Sequence, residues 1–296
     1  MKEKSNNVQV IIYVILGAFT FSTMEVALKL SGASFDPLQL TALRFLIGGL
    51  CLLPMAVSGL KKRDVHLTGK DYGYLSFLGV FCICVSMLFF QFGVMYSNAS
   101  TSAVVFSCNP MFTMLFAHFL TEEKLNKRKL LALAISLVGL VIIAKPWDMA
   151  PGNTLKGISM SLMAAVTFGL YTALGKKSIG RIGGLPQTSI SFIIGGIVLL
   201  ILTGFMGRPT FGGISMANIL PLIYVGVVVT GMGYLFYFKA IELGSAAKGS
   251  VVFFLKPMMA PVIALVVMKE PILWNTVAGV VVMAIGSYIN MSGNKK

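Results

Sequence analysis

Along the chain, apolar blocks of about 20 residues alternate with short polar joints, and about 20 residues is what a helix needs to cross the hydrocarbon core of a bilayer. The blocks predict spans at 8–30, 37–57, 72–96, 101–120, 128–146, 155–175, 187–206, 217–241, 247–268 and 273–291. Between them lie the residues that stop helices: Asp36-Pro37, Lys61-Lys62-Arg63, Glu122 to Lys129, Lys145-Pro146, Pro151-Gly152, Gly183-Gly184, Gly212-Gly213, Gly244 and Pro271. The first block lacks a small-residue cleavage site behind a short apolar core, so it is expected to stay as a span rather than leave as a signal peptide. The pattern predicts an all-α membrane protein of ten transmembrane helices.

Composition agrees. Of the 296 residues, 56% are hydrophobic and 11% are charged, against roughly 25% charged in soluble domains. The net charge of +14 would suggest a nucleic-acid partner in a soluble protein. In a membrane protein, lysine and arginine instead gather in cytoplasmic loops, so no nucleic-acid partner is expected. Sorting the joints by side puts Lys61, Lys62, Arg63, Lys70, Lys124, Lys127, Arg128, Lys129, Lys176, Lys177, Arg181, Lys239, Lys248 and both termini together. Only Lys29, Lys145, Lys156, Arg208 and Lys269 fall on the other side. The first side is then cytoplasmic, with both termini inside, in a multi-pass protein with lipid around it. Trp147 and Trp274 fall at external span ends, where indoles sit at the interface. Cys51, Cys82, Cys84 and Cys108 all lie within apolar blocks and are expected to be buried thiols, with no metal site.

A shift of 147 residues overlays the sequence on itself without a gap. Thr20-Phe21 falls on Thr167-Phe168, Gly48-Gly49 on Gly195-Gly196, Gly79 on Gly226, Pro110-Met111 on Pro257-Met258, Glu123 on Glu270 and Gly139 on Gly286. Glycine, proline and glutamate rarely keep one register by chance. The chain divides into repeats at 1–147 and 148–296, each of five spans. An odd number makes the second copy enter from the opposite side, so the pair is inverted. Inverted pairs are a common basis for alternating access.

These features resemble the EamA-type members of the drug/metabolite transporter superfamily. The resemblance covers nearly the whole chain. It is carried by Met24 to Lys29, Ala42-Leu43-Arg44-Phe45, Ser97 to Ser100, Asn109-Pro110, Lys256-Pro257, and the acids Glu123 and Glu270. It implies a bacterial inner-membrane carrier, often an exporter of amino acids or other metabolites, with a cavity between the repeats. The chain departs from the family pattern at Lys256, where an acidic or neutral residue is usual.

Ionisable groups inside a bilayer cost roughly 2.5–3.5 kcal/mol at the centre, so each is a functional candidate. Lys256 falls about nine residues into its span, ~13 Å deep, and its repeat mate is Asn109. Each precedes a proline, which frees a carbonyl one turn back, so both helices are expected to kink there. Ser102, Phe106, Asn109 and Thr113 share one helical face; Gly249, Phe253, Lys256 and Ala260 share the matching one. These faces are read as cavity walls. Lys256 would meet an anionic group of a small-molecule substrate, with Phe106 and Phe253 beside its apolar part. The alternative is that Lys256 pairs with a buried acid and holds the halves together. Glu25 and Arg44 are expected to pair at similar depth, either as a fixed ion pair or as a proton-coupling, gating site. Gln91, Tyr171 and Tyr234 are candidate polar contacts to a ligand. Lys29, Lys176 and Lys239 are read as snorkelling anchors, and the Gly-Gly pairs as close helix contacts.

Catalytic signatures are missing. The chain has no HExxH, Gly-x-Ser-x-Gly or Walker A motif, and neither His66 nor His118 has a partner at catalytic spacing. An enzyme or a cofactor is not expected. The reading is a secondary transporter, exporting amino acids or related amphiphiles by alternating access, with a homodimer as a candidate assembly. The alternatives are an uncoupled facilitator or exchanger of nucleotide sugars or sugar phosphates, and a membrane-embedded enzyme.

Overall fold

The computed structural model describes residues 2–121, 126–145, 147–243 and 246–292. Glu122, Glu123, Lys124, Pro146 and Gly244, among the joints and repeat mates above, lie outside the described residues, as do Lys295 and Lys296. No strand occurs among the described residues. In chain order the first repeat holds α1 (Lys2–Ser22, then Met24–Gly32), α2 (Pro37–Lys62), α3 (Gly69–Met95), α4 (Ala99–Phe106, then Asn109–Leu120) and α5 (Lys127–Ala144). The second holds α6 (Leu155–Ile182), α7 (Gly184–Phe205), α8 (Ile219–Leu243), α9 (Ala246–Met268) and α10 (Trp274–Ser292).

Eight of these helices are long and apolar enough to cross a membrane. In α5 and α10 the apolar stretches are shorter, Leu130–Ala144 and Trp274–Gly286. Of the ten spans expected from the sequence, eight are thus matched by helices of crossing length among the described residues.

Local chemistry sets the helix ends. Asp36 caps α2, accepting from the Leu38 N–H at 2.9 Å, with Pro37 in the first turn. Thr68 and Asp71 form a capping box at α3. In α1 the hydroxyls of Thr20, Ser22 and Thr23 bond back to carbonyls of the preceding turn, and the helix is interrupted at Thr23. The expected break at Asn109-Pro110 appears as an interruption at Ser107-Cys108, where Asn109 Nδ2 donates to the Phe106 carbonyl at 2.8 Å. Its counterpart differs: α9 runs unbroken through Pro257 and Pro261. Two stretches wind as π-helix, Phe81–Met87 in α3 and Tyr224–Met232 in α8. They overlap under the repeat shift.

Packing is reciprocal. α2 lies against α7 and α5 against α10, each pair being repeat mates. α1 packs on α8 and α9, and α6 packs on α3 and α4. The rings of Phe45 and Phe192, themselves mates, meet edge to face at 4.7 Å. At the α2–α7 crossing a Cβ on Gly49 would lie 2.9 Å from the Ile193 nitrogen, and one on Gly196 would lie 3.0 Å from the Leu46 nitrogen. Ile193 and Leu46 are again mates. Small residues let helices approach this closely, where lipid gives no hydrophobic drive to associate.

Gly196→Ala should therefore lower thermal stability in detergent micelles by about 1–3 kcal/mol through overpacking. Gly73→Ala, on an open face of α3 with nothing within 4 Å of the new methyl, should leave it unchanged or slightly raised.

Candidate functional site

Glu25 follows the interruption of α1, and Lys256 lies midway along α9. Because α1 packs along α9, the two side chains meet across the boundary between repeats, with Lys256 Nζ 2.6 Å from Glu25 Oε1. Both residues are buried, at 1% exposure for Glu25 and 2% for Lys256. The Lys256 ammonium also lies 5.1 Å from the Phe106 ring centre and 5.7 Å from that of Phe90, inside cation–π range. The expected Glu25–Arg44 pair is corrected here. The face of α1 carrying Glu25 turns to α9, so Lys256 takes the carboxylate. Arg44 is buried at 1% exposure, with its guanidinium 4.3 Å from the Phe45 ring centre and Nη1 3.8 Å from Met24 Sδ. Its Nε and Nη2 reach no acceptor among the described residues.

Arg44 and Lys256 line a small chamber of about 30 Å³, walled by Phe21, Phe45, Phe106, Phe168, Tyr234 and Phe253. Both π-helical stretches border it, through Met87 on α3 and Val229 and Thr230 on α8. Below it lies a cavity of about 950 Å³. Phe168, Tyr234 and Phe253 line both and form a shared aromatic wall. Asn109, Thr113 and Tyr171 line the large cavity, and Lys62, Arg63, Lys176 and Lys239 stand at its cation-rich mouth.

At the opposite end of the molecule, helix ends are tied together. The Glu270 carboxylate, beyond α9, accepts from the first N–H groups of α4, Ala99 at 2.9 Å and Ser100 at 3.1 Å, and from the Ser100 hydroxyl at 2.9 Å. A helix N-terminus favours an anion in this position. Lys29 completes the lock, 3.5 Å from Glu270 and donating to the Ser97 carbonyl at 2.7 Å. Nearby, Asn153 accepts from the Asn98 N–H at 2.9 Å, and Thr154 donates to the Tyr96 carbonyl at 2.7 Å. On the same end Arg208 pairs with Asp36 at 2.8 Å, and Gln39 donates to the carbonyls of Thr210 and Gly212. At the mouth, Arg181 pairs with Asp71.

Of the candidates, Lys256, Arg44, Phe106, Phe253 and Tyr234 gather at the chamber, and Asn109, Thr113 and Tyr171 in the cavity beneath. Gln91 is not brought there; it is buried in α3 outside both spaces, 3.9 Å from where a Cβ on Gly32 would stand. Sequence reasoning gave no site role to Phe168 and Thr172, though their spacing places them on one face of α6. It gave Glu270 no role, although Glu270 and Ser97 to Ser100 both stood out as motifs. Lys29 and Lys176, read as anchors, serve instead in the lock and at the mouth.

A helical membrane protein with a large cavity that shares a wall with a chamber lined by buried charges has the form of a solute carrier. The EamA-like transporter family model matches this chain twice, over residues 8–145 and 155–292. The chain belongs to that family and is a multi-pass transporter of small solutes. It is 42% identical to an uncharacterized transporter of Clostridium kluyveri, over 96% of this chain and 94% of that one. It is 25% identical to an uncharacterized transporter of Archaeoglobus fulgidus, covering 89% and 91%, and 24% identical to the uncharacterized transporter YyaM of Bacillus subtilis, covering 93% and 92%. A crystal structure shares the fold at a TM-score of 0.65 and 16% identity, covering 95% of this chain and 96% of the other.

Breaking a buried pair strands a charge, at about 3–5 kcal/mol, whereas replacing both partners with apolar groups is often neutral. Glu25→Gln and Lys256→Met should each destabilise the protein by that order. The double variant should recover most of the loss, read as a coupling in a double-mutant cycle of detergent unfolding.

Proposed function

We propose that this protein exports small amphiphilic metabolites bearing a negative or zwitterionic group, amino acids among them. Transport is by alternating access of two inverted five-helix repeats. The observation that carries the reading is the buried Glu25–Lys256 pair, which joins the repeats beside a small chamber that shares its aromatic wall with the large cavity. On this reading α5 and α10 also cross the membrane, making ten spans with both termini in the cytoplasm. The cation-rich mouth then faces the cytoplasm, and the Glu270 lock is the closed external gate.

Glu25 is the proposed coupling group. An intramembrane acid with a single ionic partner can exchange that partner for a proton as the repeats move apart, which ties the cycle to the proton gradient. A second reading is favoured by one observation. Lys62, Arg63, Lys176 and Lys239 at the mouth would also attract phosphorylated cargo such as sugar phosphates, although Lys239 is paired with Glu242 at 2.8 Å.

The test is counter-exchange in proteoliposomes with amino acids, organic acids, nucleosides and sugar phosphates, each with and without a pH gradient. Saturable exchange of a zwitterionic or anionic metabolite, accumulated in response to the gradient, is expected. Glu25→Gln should abolish the response to the gradient. Gradient-independent exchange of sugar phosphates alone would favour the second reading, and non-saturating flux would contradict a carrier.

A further inference from the structure

We propose that the small chamber beside Arg44 is an anion subsite that takes one carboxylate of an organic acid, with Arg44 rather than Lys256 as its receptor. Lys256 already faces a carboxylate, that of Glu25, at 2.6 Å. Arg44 does not: it is 99% buried, borders the chamber, and keeps Nε and Nη2 without an acceptor among the described residues. A buried guanidinium with two idle donors is costly, and its planar fork matches a carboxylate with two parallel hydrogen bonds. The charged side chains here, Arg44, Lys256 and Glu25, sum to one positive charge. A single negative charge therefore balances the chamber, and a phosphate dianion overshoots it.

Size points the same way. The chamber, about 30 Å³, has room for roughly two waters, which suits a planar carboxylate head and not a whole metabolite. The remainder of the acid lies across the aromatic wall of Phe168, Tyr234 and Phe253 and into the large cavity. That gives the two spaces separate tasks, the chamber selecting the acid group and the cavity accepting varied tails. Two π-helical stretches converge on the chamber, a local winding often found where helices serve a site. On one of them Thr230 turns its hydroxyl back to the Val225 carbonyl at 2.8 Å, which leaves Arg44 to receive the ligand. The assignment rests on the carrier reading for its purpose, but binding can be tested apart from transport.

The experiment is equilibrium binding of labelled phenylacetate to the full chain in nanodiscs, with competition by phenylacetamide and phenyl phosphate. The acid is expected to bind at least tenfold more tightly than its neutral amide, and phenyl phosphate is expected to compete more weakly than the acid. Arg44→Gln should lose at least tenfold for the acid and leave the amide unchanged, and Arg44→Lys should fall between. Equal binding of acid and amide by the wild-type protein would overturn the proposal whether or not the variants fold. So would phenyl phosphate competing as well as the acid, or an Arg44→Gln variant that still prefers the acid. Acid-selective binding without any exchange in proteoliposomes would sink the carrier reading and leave the subsite. Exchange with no acid preference would do the reverse.

Discussion

A buried ammonium and carboxylate 2.6 Å apart fix α1 of one repeat to α9 of the other. Neither charge is tolerable there alone, so the two repeats cannot part at this depth unless each ion finds a new partner. The other inter-repeat contacts differ in kind. At the α2–α7 and α5–α10 crossings, glycines bring backbones together with few polar ties. At the mouth the Arg181–Asp71 pair is half exposed on its arginine side, whereas at the far end the Glu270 hydrogen bonds are buried.

The chamber lies next to that central joint and shares an aromatic wall with the large cavity. A solute entering from the cation-rich mouth meets lysines first, then the polar groups of Asn109, Thr113 and Tyr171, then aromatic rings, and last the buried charges. On the proposed reading, long-range attraction acts at the mouth and discrimination in the buried interior, where a mismatched polar group costs most. At the far end Glu270 holds the start of α4 through two N–H groups and a hydroxyl. The helix so held carries Phe106 and Asn109 further along, which links the state of the closed end to the geometry of the site.

Much of this is legible in the sequence, because a bilayer leaves few choices. Blocks of apolar residues locate the helices, and the fixed register of glycines and prolines announces two matched halves. Intramembrane charge alone singles out Lys256, Glu25 and Arg44. What the sequence does not reveal is pairing. Glu25 has two cations at similar depth, and only the packing of α1 along α9 decides for Lys256. Gln91 looks like a cavity residue because depth can be counted along a chain while the direction of a side chain around a π-helical stretch cannot. For Glu270 the sequence marks the residue and its receiving turn separately, and their meeting depends on the fold. The helices also outrun their apolar blocks, as α2 and α6 do, because capping and tertiary contacts extend them into charged joints.

Whether the cavity opens to one side while the Glu270 end is shut, and whether the two states exchange, is tested most directly by side-specific labelling. In a background with all four native cysteines replaced, Thr113→Cys reports on the cavity, and Asn98→Cys with Asn153→Cys allows the closed end to be locked by oxidation. An impermeant maleimide is applied from each side of oriented membranes. Oxidation is predicted to abolish labelling of position 113 from the external side and preserve it from the cytoplasmic side, and reduction to restore both. External labelling that survives oxidation, or cytoplasmic labelling that disappears with it, would contradict alternating access through this cavity.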